Sequence, residues 1–484
     1  MATSEPNSRL RAAREACSSP SAQGEAMSRA ELAEAVNDHL WRTTGRRYAL
    51  DSHAIARYER GKVRWPNVTY RAGLKAVLGA DSDADLGFHP VPRGRTVRPG
   101  STGAMHLTGG GQQDGRLWVA DLCGSSDASV DAARALWATD LDRETSGAET
   151  AIPEVDVSAV VLRWLTASNA LLTRRREGTV LASGDDVAAV HRACDMFEAL
   201  DHEFGGGHAR AAAVQYLNSE MAPLLRGRYS AAVGWDLFRA AARFTYKTGA
   251  MAYDAGHHAL ARNYFVQALN FAHWGGDPAL AGKALSLLSH QANFLGLFRQ
   301  ALDLARSARM GTQGQVSPGV QAMYAAMEAR ALASLGEERA CTQALNQMER
   351  FFLTRDAEQE PEWLGYFDDS EVHDEFAHCF HDLGLGEATR RHAQESRSGA
   401  RREYRRSRTF AGLILAGSYV LDQGSDVDEA CRIADSVVAE AGPMRSDRVR
   451  SYVRRFNERL EPYAGASAVR AFRQRARASL LEAP

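Results

Sequence analysis

The densest group of side chains able to ligate a metal is Glu371, His373, Glu375, His378, Cys379 and His381. Glu375 and His378 stand three apart and share one face of a helix, the spacing of a carboxylate-bridged centre. Such a centre needs a second motif of the same kind on a facing helix, and the chain has none. These residues are therefore expected to be solvated or to line a groove, with no metal and no cofactor. The glycines at 109–111 suggest a phosphate loop, but no Lys-Ser/Thr follows them and no strand precedes them. No Ser-His-Asp or Cys-His grouping stands out, so an enzyme is not expected. Binding chemistry remains. Between Arg42 and Lys75 there are basic residues at 42, 46, 47, 57, 60, 62, 64, 71 and 75, against Asp51 and Glu59 alone. Nine minus two leaves seven excess positive charges in a chain of formal net charge -2. A polyanion is the natural partner of such a stretch, and its affinity should fall steeply with salt.

The elements that must position this charge are legible around it. Arg9 to Ala16 forms a first helix with Leu10 on the core side. Ser28 and Glu31 make a capping box before a helix whose Leu32, Ala33, Val36 and Leu40 share a face. Asp51 or Ser52 caps a second short helix, with Ile55 and Tyr58 on one face and Ser52, His53 and Arg57 on another. Gly61 ends it, Pro66 keeps the chain extended, and a further helix carries Tyr70, Leu74, Val77 and Leu78. A short closing turn of helix then brings Leu86 and Phe88 to the core edge.

This stretch resembles the phage-repressor type of helix-turn-helix, the XRE family. The residues that carry the resemblance are Leu32-Ala33, the run from Ile55 to Lys62 (IARYERGK), and Ala76 to Gly79. The resemblance implies that the helix from Ser52 to Arg60 lies in the DNA major groove. By it, Ser52, His53 and Arg57 face base edges, Arg29, Lys62 and Arg64 touch phosphates, and Glu59 pairs with Arg11 or Arg14. The segment from Asn37 to Leu50 is longer than the family's tight turn, which leaves the register of base contacts open.

Residues 89–116 are rich in Gly, Pro, Arg and Ser, and read as a flexible linker. Residues 117–240 form a helical lead-in: the run from Val157 (VSAVVLRWLTASNALL) is a helix, Asp185 to His202 is another, and Gly205-Gly206-Gly207 makes a tight corner. From 241 to 484 a period emerges. Gly256, Gly296, Gly336, Gly384 and Gly424 sit at turns between apolar helices, spaced 40, 40, 48 and 40 residues apart. Ala261, Phe265 and Ala268 follow the first at +5, +9 and +12. Ala301, Ala305 and Ala308 follow the second, and Cys341, Leu345 and Met348 the third. This small-large-small pattern is similar to the second helix of a tetratricopeptide repeat, with a period longer than the usual 34. The fold class expected is all-α: a five-helix XRE-type domain over 1–88 and a tetratricopeptide-like α-solenoid.

Stacked pairs present a concave face lined by their first helices. Its lining would include Arg243, Tyr246, Tyr253, Asp254, Lys283, Ser286, His290, Asn293, Arg330, His378 and His381. Tyr246, Tyr253, His290, Asn293 and Arg330 are the candidate ligand contacts, for a peptide or a small molecule. The arginine run from Arg397 to Arg408 reads as the wet face of a helix. The whole resembles peptide-sensing bacterial regulators, which implies a homodimer on double-stranded DNA; the alternative is a protein-interaction scaffold localised to DNA. No apolar run is long enough to span a bilayer, the N-terminus has no secretory core, and the six cysteines are scattered. No membrane partner and a cytoplasmic location are expected.

Overall fold

The computed structural model describes residues 6–22, 24–44, 50–63, 66, 68–88, 122, 124–146, 155–167, 178–421, 425–442 and 444–477. Every named element among them is helical. Contacts divide the chain into two units, 1–112 and 113–484. The linker expected over 89–116, and Arg64 and Gly424, lie outside the described residues.

The first unit holds α1 (Ser8–Glu15), α2 (Arg29–Thr44), α3 (Ser52–Glu59) and α4 (Val68–Leu78). The capping box forms as read: the Glu31 carboxylate accepts from the Ser28 N–H at 2.7 Å, and the Ser28 hydroxyl accepts from the Glu31 N–H at 3.2 Å. Asp51, rather than Ser52, caps α3 by accepting from the Ala54 N–H at 2.7 Å. Leu10, Leu32, Val36, Ile55, Leu74, Leu86 and Phe88 close one small core. The fifth helix expected after α4 is instead a set of turns over 82–87, which nonetheless delivers Leu86 and Phe88 to that core.

The second unit opens with α5 (Ser126–Ser146) and α6 (Val157–Thr166). No sequence pattern pointed to α5. It docks through Asp140, which pairs with Arg210 and accepts from the Tyr264 hydroxyl at 2.8 Å. Next come α7 (Gly184–Phe204), α8 (Gly206–Tyr216), a π-helical turn, and α9 (Ala222–Leu225). The glycine corner forms between α7 and α8. A Cβ on Gly206 would lie 2.4 Å from the Met251 carbonyl oxygen, so only glycine admits this approach.

Helical hairpins follow: α10 (Ala231–Asp254) with α11 (His258–Trp274), α12 (Pro278–Phe294) with α13 (Phe298–Gly311), α14 (Pro318–Ser334) with α15 (Glu338–Leu353), α16 (Asp369–Asp382) with α17 (Gly386–Gly399), and α18 (Arg405–Ser418) with α19 (Val427–Ala441). Gly256, Gly296, Gly336 and Gly384 turn the first four with positive φ of 74–87°. Ala261, Phe265, Ala268, Ala301, Ala305, Ala308, Cys341 and Met348 have no solvent exposure, and Leu345 almost none. Small side chains at these positions let each second helix seat closely on its neighbours. The chain ends in α20 (Asp447–Arg459) and α21 (Ser467–Ala476). No helix of the described residues is long and apolar enough to cross a membrane.

The last hairpin and α20 do not simply extend the stack. Arg406 on α18 grips Asp201 on α7 with two hydrogen bonds of 2.7 and 2.8 Å and approaches Asp254 on α10 at 3.3 Å. Asp254 also accepts from the Gly206 N–H and the Ser446 hydroxyl, each at 2.9 Å. The arginine run therefore is not all wet surface: Arg406 is an interior tie. Burial disfavours its charge, but Asp201 and Asp254 more than offset that and raise its pKa.

Candidate functional sites

In the first unit, one carboxylate organises the surface. Glu59 is buried and accepts from Arg14 Nε and Arg29 Nε, each at 2.7 Å. Arg14 also donates to the Met27 carbonyl at 2.6 Å. The expected pairing with Arg14 thus forms, while Arg11 turns to Glu15 instead. Arg29, expected at a phosphate, spends its guanidinium on Glu59 and keeps its side chain 44% exposed. This three-residue tie joins α1, α2 and α3 and fixes which face of α3 turns outward. Ile55 and Tyr58 point inward. His53 and Arg57 are exposed on the other side, Ser52 is half-buried at the helix start, and Lys62 is exposed beyond the end. Asn37 holds the long approach to α3 by bonding both the Leu50 carbonyl, at 2.8 Å, and the Leu50 N–H, at 3.0 Å. Two of the nine basic residues are spoken for, since Arg71 and Lys75 both turn to Asp83.

In the second unit, the inward faces of α10, α12, α14 and α16 line a cavity of about 190 Å³. Tyr246, Tyr253, His290 and Arg330 meet there, as do Lys283, Ser286 and His378. The open groove expected from stacked hairpins is corrected by the packing: Phe410 of α18 and Arg448 and Tyr452 of α20 wall the other side. Asn293 lies apart from this group, in an adjoining cavity of about 320 Å³ with His381 and Ser334, where it donates to the Ser334 hydroxyl at 3.1 Å. The two spaces share His290, Met327, Arg330, His378 and Tyr452, and so run on from one another. Two further expected lining residues are not there. Arg243 is turned to Asp195 at 2.5 Å, and Asp254 belongs to the Arg406 tie.

The electrostatics of the cavity are uneven. Arg330 holds Glu375 at 2.6 Å. Glu198 pairs with Lys247. Arg448 stacks over Tyr253 and Phe410, 4.7 Å from each ring centre. His290 accepts from or donates to the Tyr253 hydroxyl at 3.0 Å, and burial holds it, like His378, well below the ordinary histidine pKa. Lys283 is different. Its ammonium touches the Tyr366 hydroxyl at 2.5 Å and the Met323 sulfur at 3.3 Å, with no ion pair among the described residues. Burial, aided by Lys247, pushes it down to about 7. Glu371 likewise has no ion pair among the described residues, and its half-buried carboxyl faces the cavity. Burial, then Asp374 and Glu375, push its pKa well up. The acidic and histidine patch of α16 is thus partly groove-lining, through Glu371, Glu375 and His378, whereas His373 contacts His392 at 2.9 Å.

Sequence reasoning placed Glu371 in a patch expected to be solvated or to line a groove, and missed Tyr366, Phe410, Arg448 and Tyr452 altogether. They reach the cavity from a loop and from the last helices, which no hairpin periodicity points to. Comparison with protein-family models and with curated proteins returns no match.

Proposed function

We propose that the chain is a sequence-specific DNA-binding transcription regulator of the phage-repressor helix-turn-helix type, whose helical body holds a signal ligand. The observation that carries this reading is the division of α3 into two faces. Ile55, Tyr58 and Glu59 are buried, while His53 and Arg57 stand in solvent opposite them. A short helix pinned from behind by the buried Glu59, held by Arg14 and Arg29, is a rigid reader, and rigidity is what base discrimination needs. Arg57 supplies a fork suited to guanine, and His53 a second polar contact. Lys62 and Arg64 supply phosphate contacts, and Ser52, at the helix start, a polar group toward a base edge. Two copies would engage a two-fold operator in the cytoplasm.

The cavity in the body supports a small signal in preference to a docked protein, since α18 and α20 wall the face that a scaffold would leave open. A ligand there shifts the regulator only through different affinities for two arrangements of the body. The test is selection of bound fragments from sheared genomic DNA by the intact protein, followed by retention assays on the enriched sequence. Enrichment of one motif, lost in the H53A/R57A double variant, supports the reading. Recovery of no motif above background sinks it.

A further inference from the structure

The second unit contains two poorly solvated groups of opposite sign that face one cavity and do not pair with each other. Lys283 projects from α12 and is only 7% exposed. Its contacts are a phenol and a thioether, neither of which carries a countercharge. Glu371 projects from α16 into the same space, beside Asp374 and Glu375. Only Glu375 has a close cationic partner, since Arg330 holds it at 2.6 Å while Asp374 lies 3.8 Å from Arg330. The lining around them mixes charged residues, Arg330, Arg448 and Lys247 among them, with Leu287, Met323, Met327 and Phe367, which supply apolar surface.

Burying a charge without a partner is expensive, and proteins shed such charges unless something uses them. Here an amine and a carboxyl share one small space, further apart than an ion pair, and burial drives each toward its neutral form. A ligand bearing one charge would satisfy one group and leave the other. A ligand bearing both charges on adjacent atoms satisfies both at once. The apolar part of the lining, Leu287, Met323 and Met327, adds a place for a hydrocarbon side chain.

We propose that this cavity binds a free α-amino acid with an apolar side chain, its carboxylate taken by Lys283 with the Tyr366 hydroxyl and its ammonium taken by Glu371. The side chain lies against Leu287, Met323 and Met327. This deepens the reading of the body as a signal-holding domain and rests on it. The site itself is open to test without DNA.

The experiment uses the full-length protein without DNA. Thermal melting and titration calorimetry are run with leucine, methionine and phenylalanine. Each is compared with its amine lacking the carboxylate and its acid lacking the amino group. The expected result is binding of at least one amino acid about tenfold or more tighter than both of its half-charged partners, because each charged hydrogen bond is worth that much. Lys283→Met and Glu371→Gln should each weaken the amino acid by a similar factor while melting, without ligand, no lower than the parent. Equal binding of an amine or an acid overturns the proposal, and so does the absence of any melting shift with all three amino acids. Variants that melt well below the parent without ligand also overturn it, since the two groups would then be structural. Tight amino-acid binding in a protein that selects no DNA motif would leave the site standing and remove the regulator reading alone. DNA selection with no amino-acid binding would do the reverse.

Discussion

Two buried charge clusters in the helical body differ in a way that separates structure from function. In one, Arg406, Asp201 and Asp254 meet within 2.7–3.3 Å, and neighbouring donors fill the remaining lone pairs. In the other, Lys283 and Glu371 share a cavity without forming a direct ion pair. The first cluster spans 205 residues of sequence and ties a late helix to an early one. The second has no such ion pair, and among the described residues Lys283 donates only to the Tyr366 hydroxyl and the Met323 sulfur. Matched charges in an interior hold elements in place, whereas unmatched ones carry a standing cost that only an occupant can remove. The Arg14-Glu59-Arg29 tie of the first unit belongs with the matched kind, with Glu59 and Arg14 buried and Arg29 reaching in from the surface.

The largest effect should come from breaking the matched cluster. Asp201→Ala leaves Arg406 buried with half its partners gone, and should cost about 3–5 kcal/mol in urea unfolding of the body. A change below about 1 kcal/mol would erase the difference between the two clusters. Next, replacing His53 and Arg57 together by alanine removes groups that stand outside any tie. Retention on a selected operator should weaken by about 1–3 kcal/mol for each base edge no longer read, with stability unchanged within about 0.5 kcal/mol. A fall in stability instead would put these residues with the structural set.

A smaller cost is expected at the corner beside the matched cluster. Gly206→Ala drives a methyl group into the Met251 backbone, and should cost about 1–3 kcal/mol in thermal unfolding. The smallest effect has the opposite sign. Lys283→Met keeps the volume and removes the unpaired amine, so the melting temperature should rise slightly. Its pH dependence follows from the depressed lysine. Below pH 7 the folded and unfolded chains both hold the proton and the full penalty stands. Between about 7 and the ordinary 10.5 the unfolded chain holds more proton, so the parent gains stability as pH rises. The advantage of the variant should therefore be greatest at or below neutrality and fade toward pH 10. A gain that stayed constant with pH would mean that the amine is not the cause.

What the sequence made legible was local. Ile55 and Tyr58 against His53 and Arg57 could be read because one turn of helix separates inside from outside. Ala261, Phe265 and Ala268 could be read because a repeat shows itself twice. Tyr246, Tyr253, His290 and Arg330 were placed on the inner face by counting back from turn glycines, and they do meet. Asn293 was placed on the same face, yet it falls one turn further along, in the neighbouring space. Arg406 read as surface because a run of arginines usually is one, and its partner stands two hundred residues away. The wall made by Phe410 and Tyr452 was equally invisible, since it depends on the last helices turning back and not on any pattern within them. The isolation of Lys283 is a fact about distances between helices, and no spacing along a chain encodes it.

The meeting of Gly207 with Arg445 has a temporal side. The Gly207 N–H donates to the Arg445 carbonyl at 3.0 Å, and the Arg445 N–H donates to that of Phe204 at 2.9 Å. A ribosome that has just released Gly207 must still add well over two hundred residues before Arg445 arrives, on the order of tens of seconds at ordinary synthesis rates. Throughout that interval the nascent hairpins stand without their final wall, their inner tyrosines and methionines open to chaperones and to one another. The chamber is thus closed late in synthesis, and a premature stop upstream of the twentieth helix leaves it without the wall that Arg448 and Tyr452 supply.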